Sequence, residues 1–241
     1  MHGFCETHEI WNGFAEKLTE KFEVFTIDLP GFGGSPLSLQ SFKIKDIAKI
    51  ILDWMTEKKI LQPVIVGHSL GGYVALEMAK RNPEILKSIV LFQSTAFPDS
   101  DERKANRNKV IEFVKTHGTD PFIDTFVPGL FLDKKHPAIP SVDFIARKTS
   151  KETVLAYTSA MRDRESSIDF LKNLKKPILI LGGENDTAVP PDAIREMGKI
   201  AKHATVHLFK DTGHMAMFEC PTQACEAIIG FADNMLPNNE P

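Results

Sequence analysis

The chain has 241 residues, 42% of them hydrophobic, and a formal net charge of -3. That length suits one domain with room for an insertion, and the mild acidity with scattered Lys and Arg excludes a polyanion-binding face, so no nucleic acid is expected as a partner. No apolar run approaches the roughly 20 residues of a membrane-spanning helix, and the first residues lack the basic and apolar segments of a signal peptide, which predicts no membrane partner and a cytoplasmic location.

In chain order, "MHGF" reads as the end of a strand rather than the start of a protein. Trp11, Phe14, Ala15 and Leu18 then share one helical face, weakened by Gly13. "FEVFTIDLP" predicts a strand over Phe22 to Leu29. In "SFKIKDIAKIILDWMTE", Ile44, Ile47, Ala48, Ile51, Trp54 and Met55 recur at helical spacing behind Ser41, which can cap the free amides. "PVIVG" predicts a strand at Val64 to Val66 and "SIVLF" one at Ser88 to Phe92. "PILILGG" and "ATVHLF" give two more, with helices expected from Pro191 and Pro221, since proline is tolerated in a first helical turn. Short β-branched runs alternating with helices define an α/β class with a mostly parallel sheet.

Residues 98–172 interrupt this rhythm with helical patterns only, such as Val110, Phe113 and Val114, or Val154, Tyr157 and Met161. The expected organisation is a core of residues 1–97 and 173–241 with a helical insertion at 98–172. The insertion's phenylalanines, Phe113, Phe122, Phe126, Phe131 and Phe144, read as its own small core. Its arginines Arg147, Arg162 and Arg164 suit either a substrate carboxylate or plain solvation. "DSDER" from Asp99 begins like a calcium loop but lacks the glycine and closing glutamate. Cys5, Cys220 and Cys225 have no metal-ligand spacing and read as reduced thiols; Cys5 has no base paired with it.

The chemistry is concentrated in three loops. "PVIVGHSLGGYVALEMAK" sets Ser69 between an apolar strand and a helix, flanked two positions away by Gly67 and Gly71, the pattern of a tight turn that exposes a serine hydroxyl. Such a hydroxyl needs a base to take its proton and a carboxylate to orient that base. Asp186 leaves one buried strand and His214 follows the last in a glycine-containing loop, and loops at the carboxyl ends of parallel strands open on one edge. Glu184 is the competing acid, while His203 and His207 read as structural or exposed.

With "HGF", "DLPGFGGS", "GHSLGG", "GGENDTAVP" and "GHMAMFECP" in this order, the chain resembles the α/β-hydrolase superfamily over nearly its full length, in particular its small capped esterases, enol-lactonases and carbon-carbon hydrolases. The resemblance implies the α/β-hydrolase fold with residues 98–172 as a mobile helical cap. It implies Ser69 as nucleophile, His214 as base and Asp186 as orienting carboxylate, with the Phe4 and Leu70 N–H groups as oxyanion hole. It gives Asp28, Gly31, Gly33 and Ser35 a bracing role. It also implies an ester, thioester or lactone of a small, largely apolar acid as substrate and no cofactor or metal, with carbon-carbon hydrolysis or ligand binding without turnover as the alternatives. Serine at position 69 counts against the aspartate-dependent dehalogenase and epoxide-hydrolase chemistries.

In relatives, "HGF" follows a buried strand that runs between the counterparts of Phe22–Leu29 and Val64–Val66. Here that strand falls upstream of Met1, so the sequence reads as N-terminally truncated. The expected consequence is either direct pairing of the two flanking strands, which would displace Phe4, or two open edges, and an α-amino group whose desolvation near the site is unfavourable.

Overall fold

The computed structural model describes residues 1–37 and 41–235. After a short 3₁₀ turn (His8–Trp11), α1 spans Phe14–Thr19, α2 Ile44–Glu57, β1 Val64–His68, α3 Leu70–Arg81 and β2 Ser88–Phe92. Five helices follow without an intervening strand: α4 (Asp101–His117), α5 (Asp120–Leu130), α6 (Ile139–Ala146), α7 (Lys151–Arg162) and α8 (Ile168–Asn173). The chain then returns through β3 (Ile178–Gly183), α9 (Pro191–Ile200), β4 (Ala204–Phe209), α10 (Ala216–Glu219) and α11 (Pro221–Asp233). The four strands form one parallel sheet in the order β1-β2-β3-β4, with Val64 opposite Ser88, Ile89 opposite Ile178 and Ile178 opposite Ala204. β2 and β3 are buried at every position, as strands covered on both faces must be.

The first predicted helix divides. Gly13, at φ 76°, separates the 3₁₀ turn carrying Trp11 from α1, so the shared apolar face is built by two short pieces. The cap of α2 also differs from expectation. The helix starts at Ile44, and it is the Asp46 carboxylate, three residues inside, that accepts the Lys43 N–H at 2.8 Å in the role foreseen for Ser41.

The largest departure concerns Phe22 to Leu29. Residues 23–29 run without regular secondary structure and have no ladder partner among the described residues, so the strand expected there is not part of the sheet. Between this segment and β1 lies a cavity of about 470 Å³, lined by Val24, Ile27, Trp11 and Trp54 on one side and Val64 and Val66 on the other. A strand needs a neighbour's amides and carbonyls to be counted as paired. Among the described residues, no strand lies between this segment and β1.

The gap is bridged only where it meets the carboxyl end of β1. The Met1 α-amino group donates to the Val66 carbonyl at 2.7 Å, and the Met1 carbonyl accepts the His68 N–H at 3.0 Å. Across the gap, the Leu29 N–H donates to His2 Nε2 at 3.0 Å, while His2 Nδ1 faces the Gly3 carbonyl at 2.8 Å. The phenomenon foreseen for the amine is visible: burial lowers its pKa to about 5, against a smaller upward pull from Glu6. Among the described residues, β1 stays at the edge of the sheet and is not paired with residues 23–29.

Candidate active site

Ser69 sits at the turn from β1 into α3 with φ 48°, a left-handed backbone that an L-residue adopts only under constraint. The constraint is local. The Ser69 N–H extends the sheet to the Phe92 carbonyl at 3.0 Å, and its own carbonyl accepts from Ser94 Oγ at 2.7 Å. A Cβ on Gly71 would lie 2.7 Å from the Met1 carbonyl oxygen and 2.8 Å from that of His2, so only glycine lets α3 begin this close to the first residues.

Asp186 and His214 meet. His214 Nδ1 lies 2.7 Å from Asp186 Oδ2, and both side chains are buried. Asp186 Oδ1 accepts the N–H groups of Ala188 and Val189, each at 2.8 Å, which fixes the carboxylate and leaves Oδ2 for the ring. With Nδ1–H given to the carboxylate, Nε2 is left as the acceptor nitrogen. Burial alone would lower the His214 pKa. The charge and hydrogen bond of Asp186, with help from Glu6 and Glu219, outweigh it and leave the imidazole above its ordinary value. Glu184 is exposed, as are His203 and His207, so none of the three competes.

Ser69 and His214 line the same cavity, of about 100 Å³, together with Phe4. Among the described residues, neither the Phe4 nor the Leu70 N–H donates to a protein acceptor, although both residues are buried. Cys5, next in the chain, holds φ 57°, a second left-handed residue beside the site. Its thiol is buried, its pKa pushed up by that burial, and it is not on the cavity wall.

Several residues that hold this geometry carry no motif. Gln93, just past β2 and also left-handed at φ 49°, reaches into the His214 loop: its Nε2 donates to the Gly213 carbonyl at 2.5 Å and its Oε1 accepts the Ala216 N–H at 2.8 Å. Glu219 Oε2 accepts the N–H groups of Gly213 and Met215, each at 3.0 Å, and its Oε1 accepts that of Leu132 at 2.7 Å. The His214 N–H itself donates to the Leu130 carbonyl at 2.7 Å. Behind the ring, His68 places Nε2 3.0 Å from the His214 carbonyl and Nδ1 3.0 Å from Glu6, whose carboxylate also takes the Gly3 N–H at 2.5 Å. The nearest sequence clue to these roles was that Gln93 follows a strand on the same edge.

The loop after residue 28 has the bracing contacts expected of it. Asp28 accepts the His8 N–H at 2.7 Å and the Gly34 N–H at 2.9 Å, Gly31 and Gly33 take positive φ, and the Gly31 N–H donates to the Ser35 carbonyl at 2.8 Å. Helix α7 rests on it through Tyr157, whose hydroxyl donates to the Pro30 carbonyl at 2.7 Å. In the inserted segment, Phe131 is buried, while Phe122 and Phe126 pack on Phe4 with ring centroids 6.3 and 5.7 Å away. Phe113 and Phe144 are exposed and belong to no core.

This fold matches a known family. The family model described as "alpha/beta hydrolase fold" covers residues 1–221, and the chain belongs to that family: it is a hydrolase of the α/β class. The solved structure of a thermophilic esterase from Thermogutta terrifontis, with malate bound, superposes with a TM-score of 0.92 at 28% identity, covering 98% of this chain and 89% of that one. The enol-lactonase from Burkholderia xenovorans LB400 gives a TM-score of 0.88 at 20% identity over 96% of this chain and 89% of its own, a likeness of fold alone. An uncharacterized hydrolase of Bacillus subtilis (strain 168), YugF, is 25% identical over 248 residues, which is 96% of this chain and 88% of YugF. Among the described residues no helix is long and apolar enough to cross a membrane.

Proposed function

We propose that the chain is a serine hydrolase that cleaves a carboxylic ester, thioester or lactone of a small, largely apolar acid through an acyl-enzyme on Ser69. The observation that carries this reading is the buried Asp186–His214 pair facing the cavity that Ser69 also lines. Ser69 Oγ adds to the substrate carbonyl as its proton passes to His214 Nε2. The negative charge that develops on the carbonyl oxygen is met by the N–H groups of Phe4 and Leu70. Collapse breaks the bond to the leaving alkoxide or thiolate, which takes the proton from His214. Water then enters, gives its proton to the same nitrogen and releases the acid from Ser69. The five helices between β2 and β3 act as the cap, since α4, α5 and α7 supply Arg107, Phe126 and Met161 to the cavity wall.

The test is hydrolysis of a series of 4-nitrophenyl esters from acetate to octanoate. Turnover is expected to be fastest for short acyl chains, as a 100 Å³ cavity admits only a small group. Ser69→Ala should lower kcat by on the order of 10⁶, the loss typical of a removed serine nucleophile. Hydrolysis by Ser69→Ala at the parent rate would refute the reading.

A further inference from the structure

We propose that the substrate's acid carries a second, free carboxylate, and that Arg103 and Arg107 receive it. This rests on Ser69 being the acylated residue and adds the class of acyl group it takes.

Both arginines stand one helical turn apart on α4, and both line the cavity that holds Ser69 and His214. The wall is otherwise largely apolar, with Phe4, Phe126, Leu130, Met161 and Val189. Its one acid, Glu6, is already engaged by His68 and the Gly3 amide. The arginines of the inserted segment differ sharply in how they are occupied. Arg147 is held by Asp120, Asp124 and Asp143 on the outside, and Arg162 by Asp163 and Asn108. Arg164 is spent on structure: it binds Asp99 at 2.7 Å and the carbonyls of Met161 and Phe97, and its guanidinium lies 4.1 Å from the centre of the Tyr73 ring.

Arg103 and Arg107 are less committed. Arg107 gives only Nε to Asp99, at 3.0 Å, and Arg103 gives only Nη2, to the Ala188 carbonyl. Among the described residues, no carboxylate pairs with Arg103, and both terminal nitrogens of Arg107 are without a protein acceptor. Asp99, fully buried, is therefore shared by Arg107 and Arg164 and leaves the group of three guanidiniums with excess positive charge. Planar forks with free N–H groups, half-buried in the wall of a largely apolar cavity, are suited to a carboxylate and poorly suited to a terminal methyl. The Ala188 carbonyl and the Asp99 carboxylate, which hold Arg103 and Arg107 respectively, also fix their direction, so little is lost in ordering them on binding.

The test compares phenyl hydrogen glutarate with phenyl pentanoate, which differ at the far end of the acyl chain by a carboxylate against a methyl group, each corrected for spontaneous hydrolysis. The parent is expected to favour the glutarate ester by about tenfold or more in kcat/KM, a preference that shrinks as salt screens the charge. Arg107→Gln and Arg103→Gln should each reduce this ratio severalfold or more, while Lys104→Gln, which removes the same charge from an exposed position on the same helix, leaves it within about twofold. Calorimetric titration with glutarate reads the subsite without turnover, and binding weakened about tenfold by Arg107→Gln is expected. A ratio near one in the parent, or equal glutarate binding by parent and variant, overturns the proposal. Neither result touches the role of Ser69, which fails separately if Ser69→Ala still hydrolyses phenyl pentanoate at the parent rate.

Discussion

The two ends of the free flank of β1 differ in almost every physical respect. At the carboxyl end, Met1 to Phe4 lie against the strand, with Met1 bonded to Val66 and His68 and His2 reaching across to Leu29. Toward the amino end the same flank opens on about 470 Å³ of apolar-walled space. Since backbone groups in a parallel strand alternate sides and Val66 and His68 turn theirs to this flank, Val64 does so too, with no partner among the described residues. Trp11 Nε1, buried on the cavity wall, has no partner among the described residues. The candidate site is thus organised by hydrogen bonds at the strand ends, while the sheet below it on this side is under-satisfied. Site geometry and sheet completeness are separable, and variants at the two ends should behave differently.

The largest effect after loss of Ser69 is expected from Asp186→Asn, which removes the acceptor of the His214 Nδ1–H. A drop in kcat of about 10⁴ is expected, by analogy with triad carboxylates. The pH profile sharpens this. Because His214 must be neutral to accept a proton, and its pKa lies above the ordinary value near 6.5, kcat/KM of the parent should rise with pH through an inflection above about 6.5. In Asp186→Asn that inflection should move down.

Glu219→Ala follows in size. It frees three backbone N–H groups on and beside the His214 loop, and at about 1 to 3 kcal/mol for each partner lost, a fall in both melting temperature and kcat is expected, the latter by about 10- to 100-fold. Retention of full kcat would show that Gln93 and His68 hold the loop without it.

His2 tests the bridge itself. Burial is the main cause lowering its pKa to about 4, consistent with Nε2 accepting the Leu29 N–H. In the unfolded chain the ring takes up a proton near pH 6.5, so the unfolded state binds more protons between about pH 4 and 6.5. Stability should therefore rise with pH across that window and be lost on acidification. Melting temperature followed from pH 7 to 4.5 should fall less steeply in His2→Gln than in the parent.

The smallest effect belongs to the open end. Ala15→Leu adds apolar atoms to the cavity wall from α1, and burying them at about 25 cal/mol per Å² should stabilise the fold by roughly 1 kcal/mol, a rise of a few degrees in melting temperature. Ester hydrolysis should stay as it is, as the cavity at Ala15 is not the one at Ser69. A fall in turnover would mean that the two ends are coupled after all.

What the sequence revealed follows the same division. β2 was legible to the residue because Ile89 to Phe92 form a short continuous apolar run with two β-branched members, and the Ser69 turn because glycine is needed where α3 meets the carbonyls of Met1 and His2. The segment Phe22 to Leu29 has the same local signature as a strand. Pairing, though, depends on a neighbour that no local pattern encodes, and the structure leaves the segment without regular secondary structure or a ladder partner among the described residues. Gln93, Glu219 and Arg107 were missed for a related reason. Gln93 and Glu219 hold residues far along the chain, Gln93 Gly213 and Ala216, and Glu219 Leu132, and a single polar residue in a helix or loop, Arg107 included, has no period to betray it. Asp186 and His214 stood out as candidates because each follows a strand whose loop opens on one edge and because both fit the family pattern, and the structure brings the two side chains within 2.7 Å.

The most direct test of the central claim is to treat the protein with a fluorophosphonate and locate the adduct by mass spectrometry of its peptides. The account predicts one phosphonyl group per chain, on Ser69, formed fast in the parent and far more slowly in His214→Ala, with ester hydrolysis lost in step with labelling. Hydrolysis that continues after Ser69 is fully modified, or an adduct confined to another residue, would contradict it.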